Sequence, residues 1–365
     1  MDRLPLDEAY SPNYESARQR FRVSATAAGA KLSAHPVGAT GFTDGALTID
    51  VAKLEARSNG PVVVVSSGLH GVEGFFGSAL QLETLARLRR GELELGSTRL
   101  FLVHALNPYG FATARRTSEE NVDLNRNFLA ADESYSGAPT GYAELDQLIN
   151  APSPPSRWEP FRLKALARVL RHGESNLRHA IAVGQYDYPE GLFFGGKNAV
   201  PVTRLIQELS QTWAADGHSI VHLDLHSGLG RSGECSLLLV EPPEATSIDW
   251  YHRHFGPAVQ PFVTQGGTAY PARGLMGRWL LEQADGAVYR FVTVEFGTYS
   301  SLTVLEALRA ENRAHHHSKP GDKAHARTRR TLIECFCPAK RAWRQRVLEQ
   351  GNALVDRAVV AAGGG

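Results

Sequence analysis

The chain has 365 residues, 42% of them hydrophobic and 21% charged, with 39 Lys and Arg against 38 Asp and Glu. That balance excludes a disordered chain, and 35 glycines without a triplet repeat exclude a collagen-like one. With a formal net charge of +1 and only short basic clusters, nothing draws the chain to a polyanion, so nucleic acid is not an expected partner.

Residues 1–45 read as a helical and strand lead-in. The first twenty lack the apolar core that secretion needs, so cytoplasm is the expected location, and no window offers the about 18 uninterrupted apolar residues of a membrane span. From about Leu47 strand-like and helix-like runs alternate, the pattern of a sheet covered on both faces. The expected fold is a three-layer α/β/α domain with a mixed, mostly parallel twisted sheet. Strands are predicted at 61–66, 98–106, 220–225, 236–240 and 290–295, all short, apolar and β-branched. Helices are predicted at 77–90, 160–171, 202–215, 277–283, 302–312 and 341–360, the first closed by Gly91.

A catalytic domain is expected over 46–312, interrupted by a Ser-, Pro- and Gly-rich insertion or lid that begins at 129 and reaches about 200. Residues 313–365 read as a surface loop, broken by Pro320 and Gly321, and a final helix with a frayed end at 361–365. Cys235, Cys335 and Cys337 are too few and too oddly spaced for a disulfide framework or a zinc cage, and they read as reduced thiols. Cys335 and Cys337 are expected on opposite sides of an extended segment.

The chemistry gathers at strand ends, where open α/β sheets place their ligands. His70 and Glu73 follow the 61–66 strand in SSGLHGVEGFFGSA, His226 ends the next strong strand in HLDLHSGLG, and Glu295 ends another in VTVEFGT. Two imidazoles and a carboxylate make a catalytic zinc set with one position left open for water. Glycines 68, 71 and 74 give the first loop backbone freedom. An isolated His-x-x-Glu recurs in many chains. Here NVDLNRNF adds Asp123, Asn125 and Arg126, and ARRT adds Arg115 and Arg116, a fork suited to a carboxylate.

In order along the chain, HGVE, NPYGF, ARRT, NVDLNRNF, LDLHSG and VEFGT resemble the zinc carboxypeptidase superfamily, which holds carboxypeptidase A-like peptidases and the succinylglutamate desuccinylase and aspartoacylase deacylases. The resemblance covers roughly residues 45–312 and is closest to a bacterial branch that shares GLHGVEGFFGSA and GQYDYPEGLFFGG. It implies one zinc ion per chain on His70, Glu73 and His226, with Glu295 as general base. It further implies Asn125 and Arg126 as a clamp on the substrate's free carboxylate and Arg115, ahead of Arg116, as polariser of the scissile carbonyl. For the tyrosine that closes over substrate, Tyr270 and Tyr186 both stand as candidates.

The implied activity is zinc-dependent hydrolysis of an amide bond beside a free carboxylate, on a peptide or on a small N-acyl amino acid. A binding protein that keeps the fold is the alternative from another class, and the oligomeric state stays open. GLFFGGKN, at Gly191 to Asn198, misses a phosphate-binding loop because Asn198 lacks the hydroxyl that magnesium needs, and the segment is expected to line the cleft. His315, His316 and His317 are read as partly protonated imidazoles at a helix C-terminus.

Overall fold

A computed structural model describes residues 4–55, 60–156, 158–172, 183–214, 219–240, 245–261, 272–284, 288–319 and 321–363. Eight strands form one sheet: β1 (Lys31–Pro36), β2 (Thr48–Leu54), β3 (Val62–Ser67), β4 (Arg99–His104), β5 (Ser219–Ser227), β6 (Cys235–Leu239), β7 (Val259–Pro261) and β8 (Val288–Phe296). Their order is β1-β2-β4-β3-β5-β8-β6-β7. The centre, β4-β3-β5-β8, is parallel, whereas β1-β2, β2-β4 and β6-β8 are antiparallel, so the sheet is mixed.

Strand β3 shows why the sheet needs two covers. Its successive side chains point to opposite faces, and Val62 to Val65 are all fully buried. Val63 and Val65 join a core with α1 (Tyr14–Ala27), α2 (Gly74–Arg90) and a long C-terminal helix. Val62 and Val64 join a second core under Val202, Ile206, Leu209 and Trp213 of another helix, Pro201–Ala214. The result is the expected α/β/α sandwich. In α1 the buried positions Tyr14, Ala17, Phe21 and Ala25 trace one helical stripe, and the Asn13 side chain caps its start by accepting from Ser16 N–H at 2.8 Å. Gly91 closes α2 at φ 71°, as expected.

Among the described residues, a short helical turn at Leu6–Ala9 precedes α1, and the longer helices that follow α2 are α3 (Pro108–Thr113), α4 (Tyr142–Ile149), α5 (Phe161–His172), α6 (Pro201–Ala214), α7 (Ala245–Phe255), α8 (Met276–Glu282), α9 (Ser301–His317), α10 (Lys323–Phe336) and α11 (Arg341–Gly363). Three expectations at the C-terminal end are corrected. The loop expected across 314–330 is mostly helix: α9 runs on to His317, and α10 turns Thr328, Leu332, Cys335 and Phe336 inward while Lys323 and Arg330 stay exposed. Arg and Lys are good helix formers, so a polar run is no evidence against a helix. Cys335 therefore ends a helix and Cys337 caps it, in place of an extended pair. Of the fraying expected at 361–365, residues 361–363 show none, since they continue α11 with Ala361 and Ala362 buried, and 364–365 lie outside the described residues. Gly351 lets α11 lie directly on Leu80 of α2, where a Cβ would overlap the leucine side chain. No helix among the described residues is long and apolar enough to cross a membrane.

His104, at the end of β4, is fully buried, stacks on Phe21 at 4.6 Å and pairs with Ser78 Oγ at 3.0 Å. Burial pushes its imidazole down from 6.5 to about 4. Unfolded, the same ring binds a proton near pH 6.5, so stability present at neutral pH is lost as pH falls through the window between the two values. In denaturant unfolding at pH 7 and pH 5, the wild type should lose about 2 kcal/mol more than His104→Gln. Equal losses would show that His104 is not held neutral.

Candidate metal centre

Strands β3, β5 and β8 end side by side, and their ends carry the chemistry. β3 runs into a turn in which Gly68 takes φ 68°, open to glycine at little strain, before His70 leads into a single 3-10 turn, Gly71–Glu73. Gly71 and Gly74 serve differently from the expectation of a flexible loop. Each has an ordinary φ, and each is small because a Cβ would overlap Gly110 or Phe111 of α3. The turn is tied from outside: Gly71 N–H donates to Arg116 O at 3.1 Å and Val72 N–H to Arg115 O at 2.8 Å.

His70, Glu73 and His226 come together, all buried, with ligand atoms within 4.8 Å of one another. His70 Nδ1 lies 2.9 Å from Glu73 Oε1 and 3.2 Å from His226 Nδ1, and His226 Nδ1 lies 3.0 Å from Glu73 Oε2. Tetrahedral donors at about 2.0–2.1 Å from a zinc ion stand roughly 3.3 Å apart, so this spacing fits one ion. Glu73 Oε2, although buried and close to His226, makes no well-directed hydrogen bond, so it keeps an acceptor for a cation. Burial alone would raise the Glu73 carboxyl, but the two imidazoles override it and hold it at about 2. The donor set therefore suits zinc.

The outer nitrogen of His226 is held by a carboxylate: Nε2 faces Asp224 Oδ2 at 2.6 Å, the carboxylate–histidine arrangement that fixes ring orientation in metal sites. His70 Nε2 lies 3.2 Å from Asp123 Oδ1 and closer still to the Arg116 guanidinium. Asp123 also accepts from Arg116 Nε at 2.9 Å and Asn125 N–H at 3.1 Å. Burial raises its carboxyl, and Arg116 and His70 more than offset this to hold it well below the usual range. Asp224 was missed by sequence reasoning, yet a signal existed: residues two apart on a strand share a face, so the Asp of LDLH stands beside the His.

Glu295, on β8, is paired in register with His226 of β5 and is 7% exposed. Its Oε1 accepts from Leu229 N–H at 2.8 Å. Burial first, and then the charge of Glu73, push its carboxyl up to about 8. A dication beside Glu73 removes the second cause.

The two arginines of ARRT separate, and the expectation for Arg115 is corrected. The two side chains point opposite ways across the bend that follows α3. Arg115 turns away from the donor cluster into α9, donating to Glu311 Oε1 at 3.0 Å, Asn121 Oδ1 at 2.9 Å and Asn312 Oδ1 at 3.2 Å, and it is 1% exposed. Arg116 points into the cluster, with Nη2 at 2.7 Å from His70 Nε2, and it lies over the Phe193 ring at 5.3 Å. Asn125 is half-buried, and its Oδ1 accepts from Met276 N–H at 3.0 Å, which leaves its NH2 to donate. Arg126 is buried beside it and donates to Asn125 O at 2.6 Å.

Tyr186 is buried rather than poised at an opening: its hydroxyl donates to Arg126 O at 2.8 Å and Arg273 lies over its ring at 4.8 Å. Tyr270 lies outside the described residues. His315 and His316 close α9, but burial, followed by the charge of Arg115, pushes them down to about 3 and about 4, against the expected partial protonation.

Arg115→Met leaves Glu311 buried without its cation, and breaking a buried pair in this way costs roughly 3–5 kcal/mol. Unfolding and zinc titration should show that loss of stability with the metal affinity of the folded protein unchanged. A variant as stable as the wild type, or one that had lost the metal, would contradict the placement of Arg115.

The same architecture recurs in solved structures. Carboxypeptidase A from Helicoverpa armigera superposes with a TM-score of 0.50 at 15% identity, over 87% of this chain and 73% of that one. Bovine thrombin-activatable fibrinolysis inhibitor superposes with a TM-score of 0.54 at 9% identity, over 97% of this chain and 98% of that one. A succinylglutamate desuccinylase from Silicibacter sp. TM1040 aligns at 15% identity with a TM-score of 0.42, over 79% of this chain and 66% of that one. The fold is thus carboxypeptidase-like. A search of curated proteins finds no match. Residues 10–350, which carry the sheet and every residue of the site, match one family along their whole length, and the chain belongs to that family, described as Protein of unknown function (DUF2817).

Proposed function

We propose that this protein is a zinc-dependent hydrolase of an amide bond that lies beside a free carboxylate. The observation that carries the reading is the convergence of His70 Nδ1, Glu73 and His226 Nδ1 at spacings that suit one ion, with Glu295 in the register position next to His226. Bound there, zinc supplies Lewis acidity that brings the pKa of a water to about 7 and polarises a carbonyl.

The chain's own groups supply the rest. Glu295, backed by Leu229 N–H, takes the proton of the attacking water and returns it to the leaving amine. Arg116 replaces Arg115 as the guanidinium that donates to the carbonyl oxygen as charge gathers there, since Arg116 is the one beside His70. The Asn125 amide and Arg126 hold the substrate carboxylate. A peptide C-terminus and an N-acyl amino acid both present that carboxylate next to the amide, and both suit these groups.

The test is a mixed set of peptides and N-acyl amino acids, as free acids and as terminal amides, incubated with the zinc-loaded protein and read by mass spectrometry. Free acids should be cleaved, and amidation should lower kcat/KM about a hundredfold or more, because each hydrogen bond to a charged group contributes ~1.5–3 kcal/mol. On the best substrate Glu295→Gln should lower kcat by about a hundredfold to ten-thousandfold while zinc stays bound. Equal turnover of acids and amides would remove the carboxylate clamp, and wild-type turnover by Glu295→Gln would remove Glu295 as the base.

A further inference from the structure

Beneath the metal centre a line of buried polar groups runs back through the sheet, and the proposed mechanism uses none of it. His222, Asp224 and His226 alternate along β5 and share one face, and Ser66 of β3 stands in register with Asp224. Ser66 Oγ lies 2.5 Å from Asp224 Oδ1 and 2.8 Å from His222 Nε2. His222 Nδ1 lies 2.7 Å from the Tyr289 hydroxyl, which accepts from Trp213 Nε1–H at 3.1 Å. Ser66 and His222 are fully buried, Trp213 and Asp224 are 1% exposed, and Tyr289 is 9% exposed.

Only one direction of donation satisfies every member. Trp213 can only donate, so the Tyr289 oxygen accepts from it and the Tyr289 O–H must go to His222 Nδ1. His222 then carries its proton on Nε2 and donates to Ser66 Oγ, whose own O–H goes to Asp224. The second Asp224 oxygen takes Nε2–H of His226 at 2.6 Å, which leaves Nδ1 as the nitrogen that faces Glu73 and His70 and that offers its lone pair once a metal displaces the proton there. The opposite His226 tautomer would put a proton on Nδ1, where it would meet the metal.

Burial pushes His222 down to about 4, so the ring is neutral and has one donor and one acceptor, as the chain requires. The surrounding layer is Val62, Val64, Ile220 and Phe291, and apolar side chains would fill this position without the demand that each polar atom find a partner. A fully satisfied, one-directional chain that ends on a metal-facing histidine is explained by what it does to that histidine.

We propose that Trp213, Tyr289, His222 and Ser66 are positioning residues that act in sequence through Asp224 to hold His226 in its metal-binding tautomer. The proposal rests on the metal-centre reading above and extends it to groups that do not touch the ion.

The test uses 15N-histidine-labelled full-length protein, with and without zinc, and zinc affinity from chelator competition. Wild type should show His222 protonated on Nε2 in both states, and zinc-bound His226 protonated on Nε2 alone. Ser66→Ala should weaken zinc binding about 10- to 100-fold, the range for lost partners of metal-binding histidines. Tyr289→Phe, three hydrogen-bonded groups away from His226, should weaken it about threefold, on the order of 0.6 kcal/mol, and turn His222 into a tautomer mixture. A merely structural role would lower the melting temperature of the metal-free protein and leave the affinity of the folded fraction and the tautomers unchanged, and that result would overturn the proposal. Wild type that takes up no zinc would instead refute the metal centre. In that event the metal-free spectrum still judges the chain, since a proton on His222 Nδ1 would contradict its direction.

Discussion

A buried carboxylate between two imidazoles governs this end of the molecule. Glu73 is 1% exposed, and moving an isolated carboxylate out of water is prohibitive unless other groups answer its charge. His70 and His226 answer it from two sides, His226 held in turn by Asp224 and His70 set between Asp123 and Arg116. The cluster thus brings three buried carboxylates and two buried imidazoles together, with Arg116 as the nearby cation. Such a group has an excess of acceptor oxygens, and a dication satisfies it.

That demand explains features that look unrelated along the chain. The 3-10 turn must bring His70 and Glu73 to one point, so Gly71 and Gly74 give way to α3, and the ARRT carbonyls tie the turn down from outside. The same tie sends Arg115 and Arg116 to opposite sides, one to neutralise Glu311 under α9 and one to Asp123 and His70. The parallel strands β3, β5 and β8 hold the remaining pieces in register, so that His226 and Glu295 arrive side by side from distant parts of the chain.

Much of this was legible in the sequence, for physical reasons. Val62 to Val65 and Ile220 to Leu225 read as strands because burial demands short runs rich in apolar and β-branched side chains, and His70, Glu73, His226 and Glu295 stood out because each follows or ends such a run. The helix at 323–336 was hidden because its buried stripe is short and its outward residues resemble a loop in composition. β1 was equally silent, being an exposed edge strand with no alternation of burial. The choice between Arg115 and Arg116 could not be read from adjacency alone, since it depends on which side of the bend after α3 meets α9. Ser66, His222 and Tyr289 looked like ordinary members of apolar strands, and only the strand register joins them.

The central claim is that one zinc ion sits on His70, Glu73 and His226, and zinc X-ray absorption of the wild-type protein tests it most directly. The spectrum should show two imidazole nitrogens at about 2.0–2.1 Å and carboxylate or water oxygen at about 2.0–2.2 Å, with no sulfur. A sulfur shell near 2.3 Å, which would place the metal on a cysteine, or a protein that retains no zinc at stoichiometric supply, would contradict the account.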